Sequence, residues 1–176
     1  MTVLALEIGA AGFAASRVAA GIGTLDIQRI PVPADGVWDA CRDLLLDVAG
    51  DDEITAVGIA CPSPIDKSAG VVAPAGITQW RAGFGIVAAV RRLFPVAIVR
   101  MASDGLCLTL AERSIGSAAG AEAILTGAGI LALIAEERAI RGTPLGHGDE
   151  RAHRHLRTRD DYRPAQRMVC VRRRPR

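Results

Sequence analysis

Just after Pro95 the chain changes its hydrophobic period once, sharply, and that change constrains the fold more than any other feature. Val96, Ala97, Ile98 and Val99 form a short apolar run rich in β-branched residues, which predicts a buried strand. A few residues on, Leu106, Leu110 and Ala111 recur at helical spacing with Cys107 beside them. Ser103 and Asp104 stand between the two periods. A strand that feeds a helix in this way places its turn at the carboxyl edge of a sheet, where open α/β sheets bind ligands. The simplest role for Ser103 and Asp104 is a helix N-cap, worth about 1 kcal/mol. The same position also suits a ligand-facing carboxylate.

The preceding residues read as an ordered series. Apolar strands are expected over 3–7, 13–20 and 24–32, separated by the small-residue turns 9–12 and 21–23, so that the three make an antiparallel meander closed by Pro31 and Pro33. Trp38, Cys41, Leu44, Leu45 and Val48 mark a helix over 37–49 with Gly50 as its stop. A strand over 54–61 leads into a loop held extended by Pro62 and Pro64, and a short ribbon begins near 70–72. An irregular segment containing Trp80 follows, then a helix over 85–94 with Val87, Val90 and Leu93 on one face. Strand, strand, strand, helix, strand, helix, strand, helix is the order of the ribonuclease-H-like half-domain of actin-like ATPases: an α/β fold whose mixed sheet joins a meander to parallel strands.

Half of the 176 residues are hydrophobic, enough for one sizeable core or part of a larger domain. Apolar runs are interrupted well before the roughly 20 residues of a membrane span. The start MTVLALEIG lacks a basic region and carries Glu7 inside its apolar stretch, so no secretory signal is expected. Four cysteines without paired spacing fit a reducing cytoplasm. The net charge of +2 conceals a division: 151–176 holds ten arginines against two aspartates, leaving eleven basic and seventeen acidic side chains before it. That tail has too few apolar residues to form a core, and apart from Tyr162 it lacks the aromatics that stack on bases, so nucleic acid is not the expected partner. The abrupt shift in composition suggests a replaced or out-of-frame carboxyl terminus.

Several segments, taken in order, resemble the ROK family (repressor, open reading frame, kinase) of sugar kinases and related repressors. LALEIGAAGFAASRV resembles the first phosphate loop, Asp-x-Gly-Gly-Thr-Lys, with Glu7 and Gly9 matching and Ala10 and Ala11 departing from it. GIACPSPID resembles Gly-x-x-x-Pro-Gly-Pro-Val-Asp with Ser63 for the middle Gly, and VVAPAGITQWRAGF resembles the sugar-side loop, keeping Trp80 and placing Gly76 where the family has Asn. The strand-turn-helix around Asp104 resembles the segment whose Asn-Asp or Gly-Asp pair ends a strand, with Ser103 in the first place.

The resemblance implies ATP-dependent phosphoryl transfer to a hexose hydroxyl, with Asp104 as the base. It implies Gly9, Ala10, Ala11 and Gly12 at the ATP phosphates, and Glu7 near magnesium through its water shell. Gly76, Trp80, Ser103 and His147, the last through LGHG, would stand toward the sugar. It covers about residues 3–120 in good order and 121–147 weakly. Where a second Gly-rich phosphate loop would stand, the chain offers only Gly127 and Gly129, among Ile130, Leu131 and Leu133, which suit a hairpin strand or helix better. The expected domains are a ROK-like α/β domain over 1–120, a degenerate start of a second lobe over 121–150 and the Arg-rich tail over 151–176. The family's cysteine zinc cluster is missing, and His147, His153, His155 and Cys170 match no closed zinc pattern, so zinc is not expected. With one lobe incomplete, the expected activity is weak or none. The alternative is a catalytically silent sugar-binding or regulatory module. A transcriptional regulator is disfavoured, because a winged helix would precede the first strand. A homodimer is an open option.

Overall fold

Face one of the sheet is lined by large side chains and face two by alanines, and the architecture follows from that asymmetry. The computed structural model describes residues 2–9, 12–18, 24–115 and 123–141, all within a compact unit, Met1–Gly142. Its strands are β1 (Thr2–Ile8), β2 (Gly12–Val18), β3 (Thr24–Pro31), β4 (Ile54–Cys61), β5 (Ile65–Asp66), β6 (Val71–Val72) and β7 (Ile98–Ser103). The helices are α1 (Val37–Ala49), α2 (Ile86–Leu93), α3 (Asp104–Ile115) and α4 (Ala123–Ile140), with a 3-10 turn at Thr78–Trp80.

Five strands make one sheet in the order β3-β2-β1-β4-β7, and β5 pairs with β6 in a separate ribbon. β1, β2 and β3 pair antiparallel as the expected meander, while β4 joins β1 in parallel and β7 joins β4 in parallel. The mixed sheet of the sequence reading is therefore present. The limits of β1 to β4 differ by at most two residues, with 19–20 outside the described residues, but the strand expected over 96–99 is corrected to Ile98–Ser103, since the turn after Pro95 takes up Val96 and β7 pairs with β4 as far as Ser103.

Leu4, Leu6, Ile8, Phe13, Val57, Ile59, Val99 and Met101 point from the first face into a cluster with Val37, Cys41, Leu44, Leu45 and Val48 of α1 and Ile86 and Val90 of α2. Each fully buried aliphatic side chain of this kind stabilises by about 1.5–3 kcal/mol relative to exposure. Arg17 closes the end of α1 from a distance: its Nε donates to Val48 O at 2.8 Å and its Nη2 to Ala49 O at 3.0 Å. These carbonyls have no partner within the helix.

On the second face Ala5, Ala14, Ala60 and Ala102 meet Cys107, Leu125 and Ala128, and Val3 and Ala56 meet Ala132. Small side chains let the helices settle deeply. A Cβ on Gly58 would run into the Ala128 carbonyl, and one on Gly127 into the Cys107 carbonyl of α3. Gly127 and Gly129, in the segment that the sequence suited to a hairpin strand or helix, are interior positions of α4. Close helix-on-sheet and helix-on-helix packing accounts for both, since Gly129 lies against Val18 and Ala5. The apolar series from Ile130 to Leu133 belongs to the same helix. No helix among the described residues is long and apolar enough to cross a membrane.

Candidate functional site

One row of backbone partners crosses the whole sheet near its carboxyl edge. Arg29 of β3 is opposite Ala14 of β2, Ala14 opposite Glu7 of β1, Glu7 beside Ala60 of β4, and Ala60 beside Ala102 of β7. The row forms an alanine shelf bearing one carboxylate and one guanidinium. β7 ends one residue later, at Ser103, and α3 begins at Asp104, as the change of period requires.

Asp104 is half-buried, and its Oδ1 is wholly buried with no hydrogen-bond partner among the described residues. A lone buried acceptor of this type is destabilising by about 1–3 kcal/mol unless something satisfies it. Among the described residues neither Ser103 nor Asp104 makes a side-chain capping bond; the hydroxyl bond in the first turns of α3 is Thr109 Oγ1 donating to Gly105 O at 2.8 Å. Capping therefore does not explain the aspartate. Burial raises the Asp104 carboxyl above its ordinary 3.8. Glu7 is raised above 4.5 by burial and then by the Asp104 charge, while Arg29 pulls it down. Burial lifts the Cys61 and Cys107 thiols to about 12, with the Asp104 charge adding to both.

No protein-family model and no curated protein matches the sequence. Solved structures do match. A ROK hexokinase from Thermus thermophilus superposes with a TM-score of 0.55 at 24% identity, over 68% of this chain and 41% of that one. A ROK family glucokinase from Streptomyces griseus, in complex with glucose and AMPPNP, gives 0.57 at 21% identity, over 68% and 38%. The inorganic polyphosphate/ATP-glucomannokinase of an Arthrobacter strain gives 0.54 at 23%, over 68% and 51%. The fold is that of the ROK sugar kinases. The chain spans between 38% and 51% of the length of these three structures.

Set on the ROK fold, the residues expected at the site divide into three groups. Glu7, Ser103 and Asp104 come together at the carboxyl edge. Gly9 and Gly12 meet where β1 and β2 pair: the Gly9 amide donates to the Gly12 carbonyl at 2.9 Å, so that amide is already engaged. Ala10, Ala11 and His147 lie outside the described residues, as does 151–176. The third group is the loop after β6. Trp80 is only 2% exposed, stacked on Phe84 with ring centroids 4.5 Å apart and tilted against Phe13 at 5.5 Å. Its indole anchors the loop from inside the core and has almost no surface to offer a sugar. Gly76 lines a separate depression of about 240 Å³ with Val32, Pro33, Ala34, Val37, Thr78 and Gln79, and Asp104 does not border it. Gln79 holds that loop to α1, whose N-cap Gly36 has no side chain: its Oε1 accepts from Val37 N at 3.3 Å and its Nε2 donates to Ala34 O at 3.1 Å.

Sequence reasoning missed Arg29 and the alanine row. The signal was available in the meander, because the short turns between its strands fix which residues share a row.

Among the described residues no group of three or more His, Cys, Asp or Glu could hold a metal. Glu7 supplies one hard oxygen donor, and one carboxylate fits magnesium, which commonly takes one or two and completes its shell with water and substrate phosphates.

Proposed function

We propose that this chain carries the acceptor-activating half of a hexose kinase site, in which Asp104 takes the proton from a sugar hydroxyl as the γ-phosphoryl of ATP is transferred to that oxygen. The observation that carries the reading is the buried, unpartnered Asp104 Oδ1 at the carboxyl end of β7, beside Glu7. A sugar hydroxyl donating to this oxygen would satisfy it. The raised pKa moves the base toward neutrality, where general bases work best. Glu7 would hold magnesium through its water shell; the ion, when bound with nucleotide, neutralises phosphate charge. Ser103 stands next to the acceptor position. The Streptomyces griseus enzyme, crystallised with glucose and AMPPNP, supports hexose and ATP as the ligand classes.

Turnover by this chain alone is proposed to be weak or absent. Phosphoryl transfer depends on positioning donor, metal and acceptor in line, and Gly127 and Gly129 are committed to packing in α4, where they cradle no phosphate. The same observation favours a second reading, a silent sugar-binding or interaction module on the kinase fold.

Coupled assays of the purified chain with hexoses, using ATP and polyphosphate as donors, test the first reading alongside glucose titrations by calorimetry. Slow turnover abolished by Asp104→Asn with the fold intact supports the base assignment, because Asn keeps the shape but accepts no proton. Sugar binding without turnover supports the module. Turnover within the common range of about 1–1000 per second would refute the proposed weakness. Neither binding nor turnover at millimolar sugar would refute both readings.

A further inference from the structure

At the end of the sheet away from Asp104, cationic side chains from three elements gather around β7. Arg100 lies within the strand, Arg91 in the last turn of α2, and Arg138 in the last turn of α4. α2 packs on the face that receives Val99 and Met101, and α4 packs on the other, so the two helices bracket the strand. Burial first, then the charge of Arg91, then that of Arg138, lowers the pKa of Arg100.

Two helix ends explain part of this, since cations stabilise helix C-termini. They do not explain Arg100, a half-buried guanidinium in a strand. Among the described residues its one hydrogen bond is a long one, Nη1 to Val99 O at 3.3 Å on its own strand. Ion pairs among the described residues join Arg17 to Asp52, Arg42 to Asp39 and Asp43, and Arg141 to Glu137; none reaches Arg91, Arg100 or Arg138. The nearby acid of α4, Glu136, is bonded to Thr55 Oγ1.

A second, independent feature occupies the same place. β7 is the terminal strand of the sheet and pairs only with β4 among the described residues, leaving its outer edge without a strand. Unpaired edges recruit extended chains, and proteins usually guard them with charge. Here the strand itself carries a cation, Arg100, and Val96, at the entrance to the strand, is 68% exposed.

We propose that the β7 edge is a docking site for an extended acidic peptide segment of a partner protein, which adds as a sixth strand while its carboxylates pair with Arg100 and Arg138. Strand addition takes affinity from main-chain hydrogen bonds and specificity from alternate side chains. In such a segment every second residue faces the same side, so acids spaced by two share the α4 face with Arg100, and the residues between them lie on the face of Val99 and Met101. Guanidinium pairs carboxylates in a bidentate manner, which favours peptide acids over diffuse anion binding.

The test is fluorescence anisotropy of the intact chain with a labelled peptide of alternating Glu and Val. Saturable binding is expected, weakened about tenfold or more by Arg100→Ala, which corresponds to about 1.4 kcal/mol. Arg138→Ala should weaken it in the same direction. Charge-retaining Arg100→Lys should fall between, which separates lost charge from lost fold, and circular dichroism of each variant confirms the sheet. A peptide with the same side chains but alternate backbone nitrogens methylated should bind far more weakly. Equal binding of that peptide would overturn strand addition. Tighter binding of a single-stranded oligonucleotide would overturn the peptide assignment, and full competition by millimolar inorganic phosphate would reduce the site to a simple anion patch. Arg100→Ala binding as well as the parent would overturn the proposal outright.

Discussion

Burial, and then the Asp104 carboxylate acting across a row that carries only Ala60 and Ala102 between their strands, raises the pKa of Glu7. Two acids separated by methyl groups, at the edge where three parallel strands end, are hard to account for as packing. Burying charge without a partner works against folding.

That arrangement sets a pH dependence. Both carboxyls are raised above their ordinary 4.5 and 3.8, so over the window between those values and the raised ones the folded chain binds more protons than the unfolded chain. Their contribution to stability is therefore most favourable below the ordinary values and declines as pH rises through the raised ones. Asp104→Asn removes one such term. Urea midpoints compared from pH 4 to pH 7 should show the variant gaining on the parent as pH rises, by no more than about 1 kcal/mol at pH 7 because the carboxyl is half-exposed. A variant that loses ground as pH rises would contradict this.

Gly58→Ala and Gly127→Ala should each destabilise strongly. The added methyl meets a backbone carbonyl in both cases, and backbone moves only by displacing a helix. Overpacking of this kind is destabilising by about 1–3 kcal/mol, occasionally more. Gly105→Ala is the contrast: nothing lies within 4 Å of its added Cβ, and in the first turn of α3 it should stabilise by about 0.4–1 kcal/mol. Thermal melts of the three variants rank them.

Gln79→Ala should unfasten the loop from α1. The helix would lose its only side-chain partner at Val37 N, a loss of about 1 kcal/mol by analogy with other N-caps. Amide exchange at Val37 should accelerate in the variant more than exchange in the middle of β4. Equal acceleration at both sites would mean that Gln79 acts on global stability alone.

Cys41, Cys61 and Cys107 should resist alkylation in the native chain. Each is buried with its thiol near 12, against a usual value near 8.5, so at pH 8 roughly one in ten thousand is thiolate. Iodoacetamide labelling followed by peptide mass spectrometry should find these three modified only after denaturant is added.

Much of the fold was legible in the residues. The meander, α1 and the strand-turn-helix at Asp104 were readable because hydrophobic period and Gly turns act locally. α4 was harder: it is apolar on nearly all sides, so no period distinguished helix from strand until Ala128 was seen lying on Gly58. At the site, Glu7 and Asp104 were legible by position. Trp80 was not, because an aromatic in a loop reads the same whether it faces ligand or core, and only the rings of Phe13 and Phe84 decide the matter. The Arg100 cluster was invisible for a similar reason, since its three members are far apart in sequence and meet only when β7 becomes the edge.

The burial of Trp80 also equips the chain with an optical gauge. Of its two tryptophans, Trp80 is sealed between phenylalanine rings while Trp38 is half-buried and tilted against Phe84 at 5.6 Å. Emission from Trp80 therefore reports whether the sheet and its loop are assembled. A ligand arriving at Asp104 should leave that emission in place, whereas loss of the Phe13 contact should shift it to the red, so a single spectrum can tell an empty site from a broken core.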